Sequence, residues 1–203
     1  EAGSIEDASL AHWRRLFQVN ADSAFLGTQQ AVRAMGSRGG SIVNIASVSS
    51  WMPVDGYAAY GATKAAVAAL TRSAALHCRK RGLPIRVNSV HPGVIETPML
   101  EAAPPEVRAR LDRLMLQQPI ARVGRPEEVA QVVLFLASEL CGEKTGWVLA
   151  AAGARMYAFR VVETAGVGQI EIDVVGVSDT TVLVLVPRSE ERRVGKECRS
   201  RWS

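Results

Sequence analysis

Residues 41–47 read Ser-Ile-Val-Asn-Ile-Ala-Ser, a run of small and apolar side chains that closes on a serine. This is the pattern of a parallel strand covered on both faces, whose side chains need not alternate with polar ones. An alanine-rich stretch from Tyr60 to about Arg81 follows, and its length suits a helix. A covered strand and then a long helix point to an α/β chain built on a parallel sheet. In open sheets of this kind function gathers at the carboxyl ends of the strands, where Ser47 would lie.

Tyr60 and Lys64 stand four residues apart in Tyr60-Gly61-Ala62-Thr63-Lys64, with Ser47 thirteen residues upstream of the tyrosine. On a helix, positions i and i+4 share a face, so the ammonium is expected beneath the phenol and in the same cleft. A free tyrosine has a pKa near ~10. A nearby cation favours the phenolate and is expected to draw it towards neutrality, where it can exchange a proton with an alcohol or ketone. Ser47 would then offer its hydroxyl to the substrate oxygen. The Tyr-x-x-x-Lys spacing alone arises by chance; the strand-ending serine beside it is what indicates carbonyl/alcohol redox chemistry.

With a Ser followed by Tyr-x-x-x-Lys, the sequence resembles the short-chain dehydrogenase/reductase family over residues 4–149, and further stretches match in the family's order. Trp13-Arg14-Arg15-Leu16-Phe17-Gln18-Val19-Asn20 is similar to the family helix that delivers a catalytic asparagine. The resemblance gives Asn20 the role of anchoring a water that relays protons to Lys64; the alternative is a helix-interior asparagine with a backbone bond. Residues 85–90 resemble the next strand, and His91-Pro92-Gly93-Val94-Ile95-Glu96-Thr97-Pro98 the loop over the nicotinamide. There the resemblance implies that Tyr60, Lys64, Pro92, Gly93, Val94, Ile95 and Thr97 contact NAD or NADP. Backbone groups of Val94 and Ile95 would read the carboxamide, and the Thr97 hydroxyl would reach the carboxamide or pyrophosphate. Gly124-Arg125-Pro126-Glu127-Glu128-Val129-Ala130 opens a scaffold helix with proline in the first turn and acids at its positive end.

The family's glycine-rich Gly-x-x-x-Gly-x-Gly turn and its Asn-Asn-Ala-Gly strand end do not occur in the sequence. The implied fold is an incomplete Rossmann-like, doubly wound parallel sheet: the C-terminal half of a short-chain dehydrogenase with a foreign C-terminal extension. Three segments are expected, at 1–149 (partial dehydrogenase), 150–187 (different origin) and 188–203 (tail). On this reading the chain is a fragment that is inactive by itself, prone to aggregate and without affinity for NAD(P).

Residues 160–187 hold two strand-like runs around a glycine-rich loop, and resemble part of the GTPase domain of chaperones that attend methylmalonyl-CoA mutase. Glu163-Thr164-Ala165-Gly166 would be its loop sensing magnesium and the γ-phosphate. No Gly-x-x-x-x-Gly-Lys-Ser/Thr loop accompanies it, so this piece could not bind nucleotide alone. Residues 188–203 lack apolar periodicity and resemble the translation of a short-read sequencing adapter, expected to be disordered and set aside from functional reasoning. They hold six of the 24 basic and three of the 20 acidic residues, leaving 18 against 17. The basic pI is therefore no argument for nucleic-acid or membrane partners.

No run of eighteen apolar residues suggests a membrane span. Cys78, Cys141 and Cys198 have no metal-ligand spacing, so a cytoplasmic protein is expected. His12, His77 and His91 are isolated and no metal is expected; His91, beside Pro92, is expected to pack the loop. The stretch Ser47-Val48-Ser49-Ser50-Trp51-Met52-Pro53 and residues 74–80 look most like bacterial 3β/17β-hydroxysteroid dehydrogenases. This resemblance puts Ser47, Val48, Trp51 and Met99 against a small alcohol or ketone substrate, with packing as the alternative for Trp51. Small residues along the Tyr60 helix, as in family members that pair helices across two-fold axes, imply a homotetramer. Two other classes remain: a non-catalytic Rossmann-like regulator, which would not need Ser47, Tyr60 and Lys64 together, and a GTPase-derived switch, which would need a phosphate loop.

Overall fold

The computed structural model describes residues 3–103, 105–116, 122–141, 147–152, 155–160, 173–177 and 180–184. Strands β1 (Gly40–Ile45), β2 (Ile85–Pro92) and β3 (Trp147–Ala152) run parallel in that spatial order, and β4 (Arg155–Arg160) pairs antiparallel with β3. The register sets Gly40 against Ile85 and Ile45 against Val90, so β1 and β2 end side by side. A second pair, β5 (Asp173–Val177) and β6 (Thr180–Val184), forms an antiparallel hairpin.

The parallel strands are joined by helices because parallel neighbours need a crossover. Helices α1 (Leu10–Phe17), α2 (Ser23–Met35) and α3 (Ala58–Lys80) precede β2; α4 (Pro98–Glu101), α5 (Pro105–Leu116) and α6 (Pro126–Ala137) lie between β2 and β3. Side-chain alternation divides the strands between two cores. Ile42, Ile85 and Val87 pack with Ala75 and Cys78 of α3 and with Ala31, Val32 and Met35 of α2. Val43 and Val90 pack with Val129, Val132 and Leu136 of α6 and with Cys141. Both faces are thus covered, as a parallel sheet requires.

The covering is not complete at β1. Among the described residues this strand has a neighbour on one side only, and Ile45 is 46% exposed. The strand is thus covered on both faces, as its apolar run implies, while its free margin lies open at the edge of the sheet.

Two polar devices fix the layers. Thr28 of α2 donates to Asn44 Oδ1 across 3.3 Å, and Asn44 Nδ2 donates to Thr71 Oγ1 of α3 across 3.0 Å. Thr71 in turn donates to the Val67 carbonyl, so the chain of bonds is closed. On the other face, the Arg86 guanidinium donates to the carbonyls of Leu136, Ala137 and Ser138, and Ser41 donates to Leu136 as well. These are carbonyls at the end of α6 that lack intrahelical partners, and a cation there also answers the helix dipole. At the start of α6, Glu128 accepts the Arg125 backbone N–H and two bonds from Arg122.

Candidate active site

Beyond β1 the ladder continues for one more bond, Ala46 N–H to the Val90 carbonyl at 2.8 Å. The chain then turns. Ser47, extended at φ −165° and ψ 155°, caps a 3₁₀ turn at Val48–Ser50, and its Oγ accepts the Ser49 N–H across 3.2 Å. Ser47 is thus buried and oriented by its own turn. Helix α3 comes in close over this turn at Gly61, where an added methyl would stand 3.0 Å from the Ser49 carbonyl oxygen. The glycine between Tyr60 and Ala62 therefore sets how near the helix can bring its tyrosine to the serine.

Tyr60, half-buried in the first turn of α3, is close enough to the Ser47 side chain for that hydroxyl to lower its pKa, while Ser47 Oγ donates to Ser49 Oγ across 3.3 Å. The Lys64 ammonium lies 5.7 Å from the centre of the Tyr60 ring and donates to the Ile45 carbonyl across 3.1 Å. The shared helical face predicted from the spacing is formed. The predicted acidity is not: burial raises the Tyr60 phenol above its ordinary value, and the Ser47 hydroxyl offsets this only in part. Burial also lowers the Lys64 ammonium. The cation is on the correct face, but its bond is directed at the end of β1.

Asn20 lies in a π-helical segment, Gln18–Asp22, between α1 and α2. Its Nδ2 donates to Thr63 Oγ1 across 3.1 Å, and Thr63, fully buried, donates to the Tyr60 carbonyl across 2.7 Å. Asn20 therefore reaches α3 between Tyr60 and Lys64. A π turn is wider than an α turn and is frequent at functional sites; its presence was not signalled by the residue pattern.

His91 was expected to pack a loop, but it belongs to β2 and is fully buried beside Ser47. Its Nδ1 lies 3.0 Å from the Ser47 carbonyl oxygen and 2.9 Å from Ser50 Oγ; its Nε2 lies 2.9 Å from Ser89 Oγ. Trp51 stacks on the imidazole with centroids 4.2 Å apart. Burial pulls the imidazole down to about 4, the Ser47 carbonyl opposing and the charges of Arg72 and Lys64 assisting. The available signal was position: a histidine just before Pro-Gly at the carboxyl end of a strand adjoins the serine that ends the neighbouring one.

The loop after β2 returns through a bridge between Ile95 and Gly124. Gly124 N–H donates to the Val94 carbonyl across 2.9 Å, and Glu96 N–H to the Gly124 carbonyl across 2.8 Å. Pro92 ends β2, Gly93 follows it, and Thr97 caps α4. Val48 is half-buried in the serine turn, and Trp51 is 40% exposed despite its stack. Met99 lies on α4, its side chain outside the described residues. The segment Glu163–Gly166 and residues 188–203 also lie outside them. Among the described residues, no group of three or more His, Cys, Asp or Glu could hold a metal ion, and no helix is long and apolar enough to cross a membrane.

The family profile described as enoyl-(acyl carrier protein) reductase matches residues 1–153. The chain is 51% identical over 141 residues to a 3-beta-hydroxysteroid dehydrogenase of Comamonas testosteroni, covering 68% of this chain and 55% of that protein. It is 40% identical over 147 residues to a cyclohexanol dehydrogenase of Acinetobacter sp. (strain SE19), covering 72% of this chain and 55% of the relative. It is 35% identical over 145 residues to an NADP-dependent (R)-specific alcohol dehydrogenase of Lentilactobacillus kefiri, covering 70% and 57%. The chain thus spans little more than half the length of these relatives.

Proposed function

The chain belongs to the short-chain dehydrogenase/reductase family, and on that premise we propose that the protein carrying it interconverts a secondary alcohol and a ketone with NAD or NADP. The observation that carries the reading is the contact of Ser47 with Tyr60, with Lys64 on the same face of α3. Ser47 holds the substrate oxygen. Tyr60 accepts the alcohol proton in oxidation and donates it to the carbonyl oxygen in reduction. The nicotinamide, when bound, takes up or supplies the hydride.

The residues present fit its nicotinamide end. Among the described contacts Lys64 engages one N–H with Ile45, and an ammonium has three, leaving donors for the ribose hydroxyls. Lys64 would hold those hydroxyls with its remaining donors from the helical face it shares with Tyr60. Pro92, Gly93, Val94, Ile95 and Thr97 would border the carboxamide. Asn20 would anchor the water that relays protons to Lys64. The sequence contains no glycine-rich turn for the pyrophosphate.

For the substrate, Val48 and Trp51 offer apolar surface beside Ser47, the family resemblance adds Met99, and a hydroxysteroid is the class favoured by the 3-beta-hydroxysteroid dehydrogenase relative. We propose a homotetramer, supported by exposed Leu10, Trp13, Val19, Phe25 and Leu26 along α1, the π segment and α2. Ala68 and Ala75 of α3 pack within the chain instead. The proposed compartment is the cytoplasm, which suits the buried thiols Cys78 and Cys141. The test is turnover of hydroxysteroids, cyclohexanol and sugars with each nicotinamide, in the protein and its Tyr60→Phe variant. Loss of proton transfer should lower kcat by ~10²–10⁴; a Tyr60→Phe enzyme with full turnover overturns the reading.

A further inference from the structure

The bonds around His91 admit one neutral tautomer. Ser50 Oγ donates to the Ser47 carbonyl across 2.6 Å, so its single proton is engaged and it can only accept from His91 Nδ1. The Ser47 carbonyl can likewise only accept. Both partners of Nδ1 are therefore acceptors, and Nδ1 must carry the proton. Nε2 is then bare and accepts from the Ser89 hydroxyl. With the ring fully buried, a second proton would leave Nε2 and Ser89 as facing donors unless the hydroxyl turned away.

We propose that His91, as the neutral Nδ1–H tautomer, is a positioning residue: it clamps the Ser47 carbonyl from β2 and thereby holds the Ser47 hydroxyl on Tyr60. This role rests on the reading of Ser47 and Tyr60 as the proton-exchanging pair. The carbonyl of Ser47 accepts from His91, from Ser50 Oγ and from the Ser50 N–H, and its hydroxyl accepts the Ser49 N–H and donates to Ser49 Oγ. The peptide and the side chain are thus locked separately, and among the described contacts the His91 bond is the one that ties them to the neighbouring strand. Trp51 stacks on the ring, which is fully buried.

Two measurements on the folded chain test this without turnover. Nitrogen-15 NMR of the imidazole at neutral pH should show a protonated Nδ1 and a bare Nε2; an Nε2–H tautomer overturns the proposal whatever the variants do. Phenolate absorbance after rapid pH jumps, with Tyr60→Phe as the blank, then follows Tyr60 ionisation. His91→Phe keeps the stack with Trp51 and removes both nitrogens, so the Tyr60 midpoint should rise by about one unit through a loosened Ser47 bond. His91→Asn, which retains a donor, should move it less and serves if His91→Phe fails to fold. In a Ser47→Ala background His91→Phe should add nothing. An unmoved Tyr60 in folded His91→Phe, or an equal shift without Ser47, overturns the clamp alone. If Ser47→Ala by itself leaves Tyr60 unmoved, the Ser47–Tyr60 pair fails and the clamp with it.

Discussion

Gly61 faces the Ser49 carbonyl so closely that a Cβ at this position would lie 3.0 Å from the oxygen. Alanine in a helix is favoured over glycine by roughly 1 kcal/mol, while overpacking a fixed neighbour costs typically ~1–3 kcal/mol. The neighbour here is backbone, which cannot swing aside, so the clash should prevail. Gly61→Ala is expected to lower the melting temperature and to lift Tyr60 off Ser47, raising the phenol's midpoint. A more stable chain with an unchanged phenol would show that the turn yields freely.

Asn20 and Thr63 should behave as a coupled pair. Thr63→Val removes the acceptor of the Asn20 amide and leaves a part-buried donor without its partner, a loss of ~1–3 kcal/mol. Asn20→Ala should make Thr63→Val nearly harmless by comparison. Urea unfolding of the four variants measures the coupling; additive losses would mean that the bond contributes nothing.

The stability should depend on pH through His91. In the unfolded chain this histidine takes up a proton near 6.5, whereas in the folded chain it does so at about 4. Between those values the unfolded state binds more protons, so stability falls as pH drops from about 6.5 towards 4 and the contribution of the neutral ring is lost below that. The full effect is on the order of 3 kcal/mol. Urea midpoints at several pH values should show this slope, and His91→Phe should abolish its share.

Arg86→Ala should remove the guanidinium from the last carbonyls of α6 and cost about 1–2 kcal/mol. Arg86→Lys should recover only part, since an ammonium lacks the planar fork that serves three carbonyls at once. Neither substitution touches the Ser47 turn, so Tyr60 should titrate as in the parent chain. A shifted phenol would show that the α6 face communicates with the site.

The helical spacing of Tyr60 and Lys64, the strand before Ser47 and the proline-led start of α6 were legible because each depends on residues close in sequence. What escaped the sequence is what two distant segments make together. The acidity of Tyr60 depends on how much chain buries it, and the i+4 rule carries no information about desolvation. The His91 clamp arises only when β2 pairs in register beside β1. The π turn at Asn20 has no side-chain signature, since a single extra residue in a helical turn leaves composition unchanged.

The register that sets Gly40 against Ile85 also orders events in time. Ser47, Tyr60 and Lys64 are neighbours along the chain and can meet once α3 folds back on its own turn. His91 can arrive only after a far longer loop has closed, a step whose entropy cost is met before any contact rewards it. Trp51 lies on that histidine, so one face of its indole is covered at the same moment while the rest stays in solvent. Its fluorescence is consequently a clock for sheet assembly: a change lagging behind helix formation marks the instant at which a loosely gathered pair of side chains becomes a fixed site.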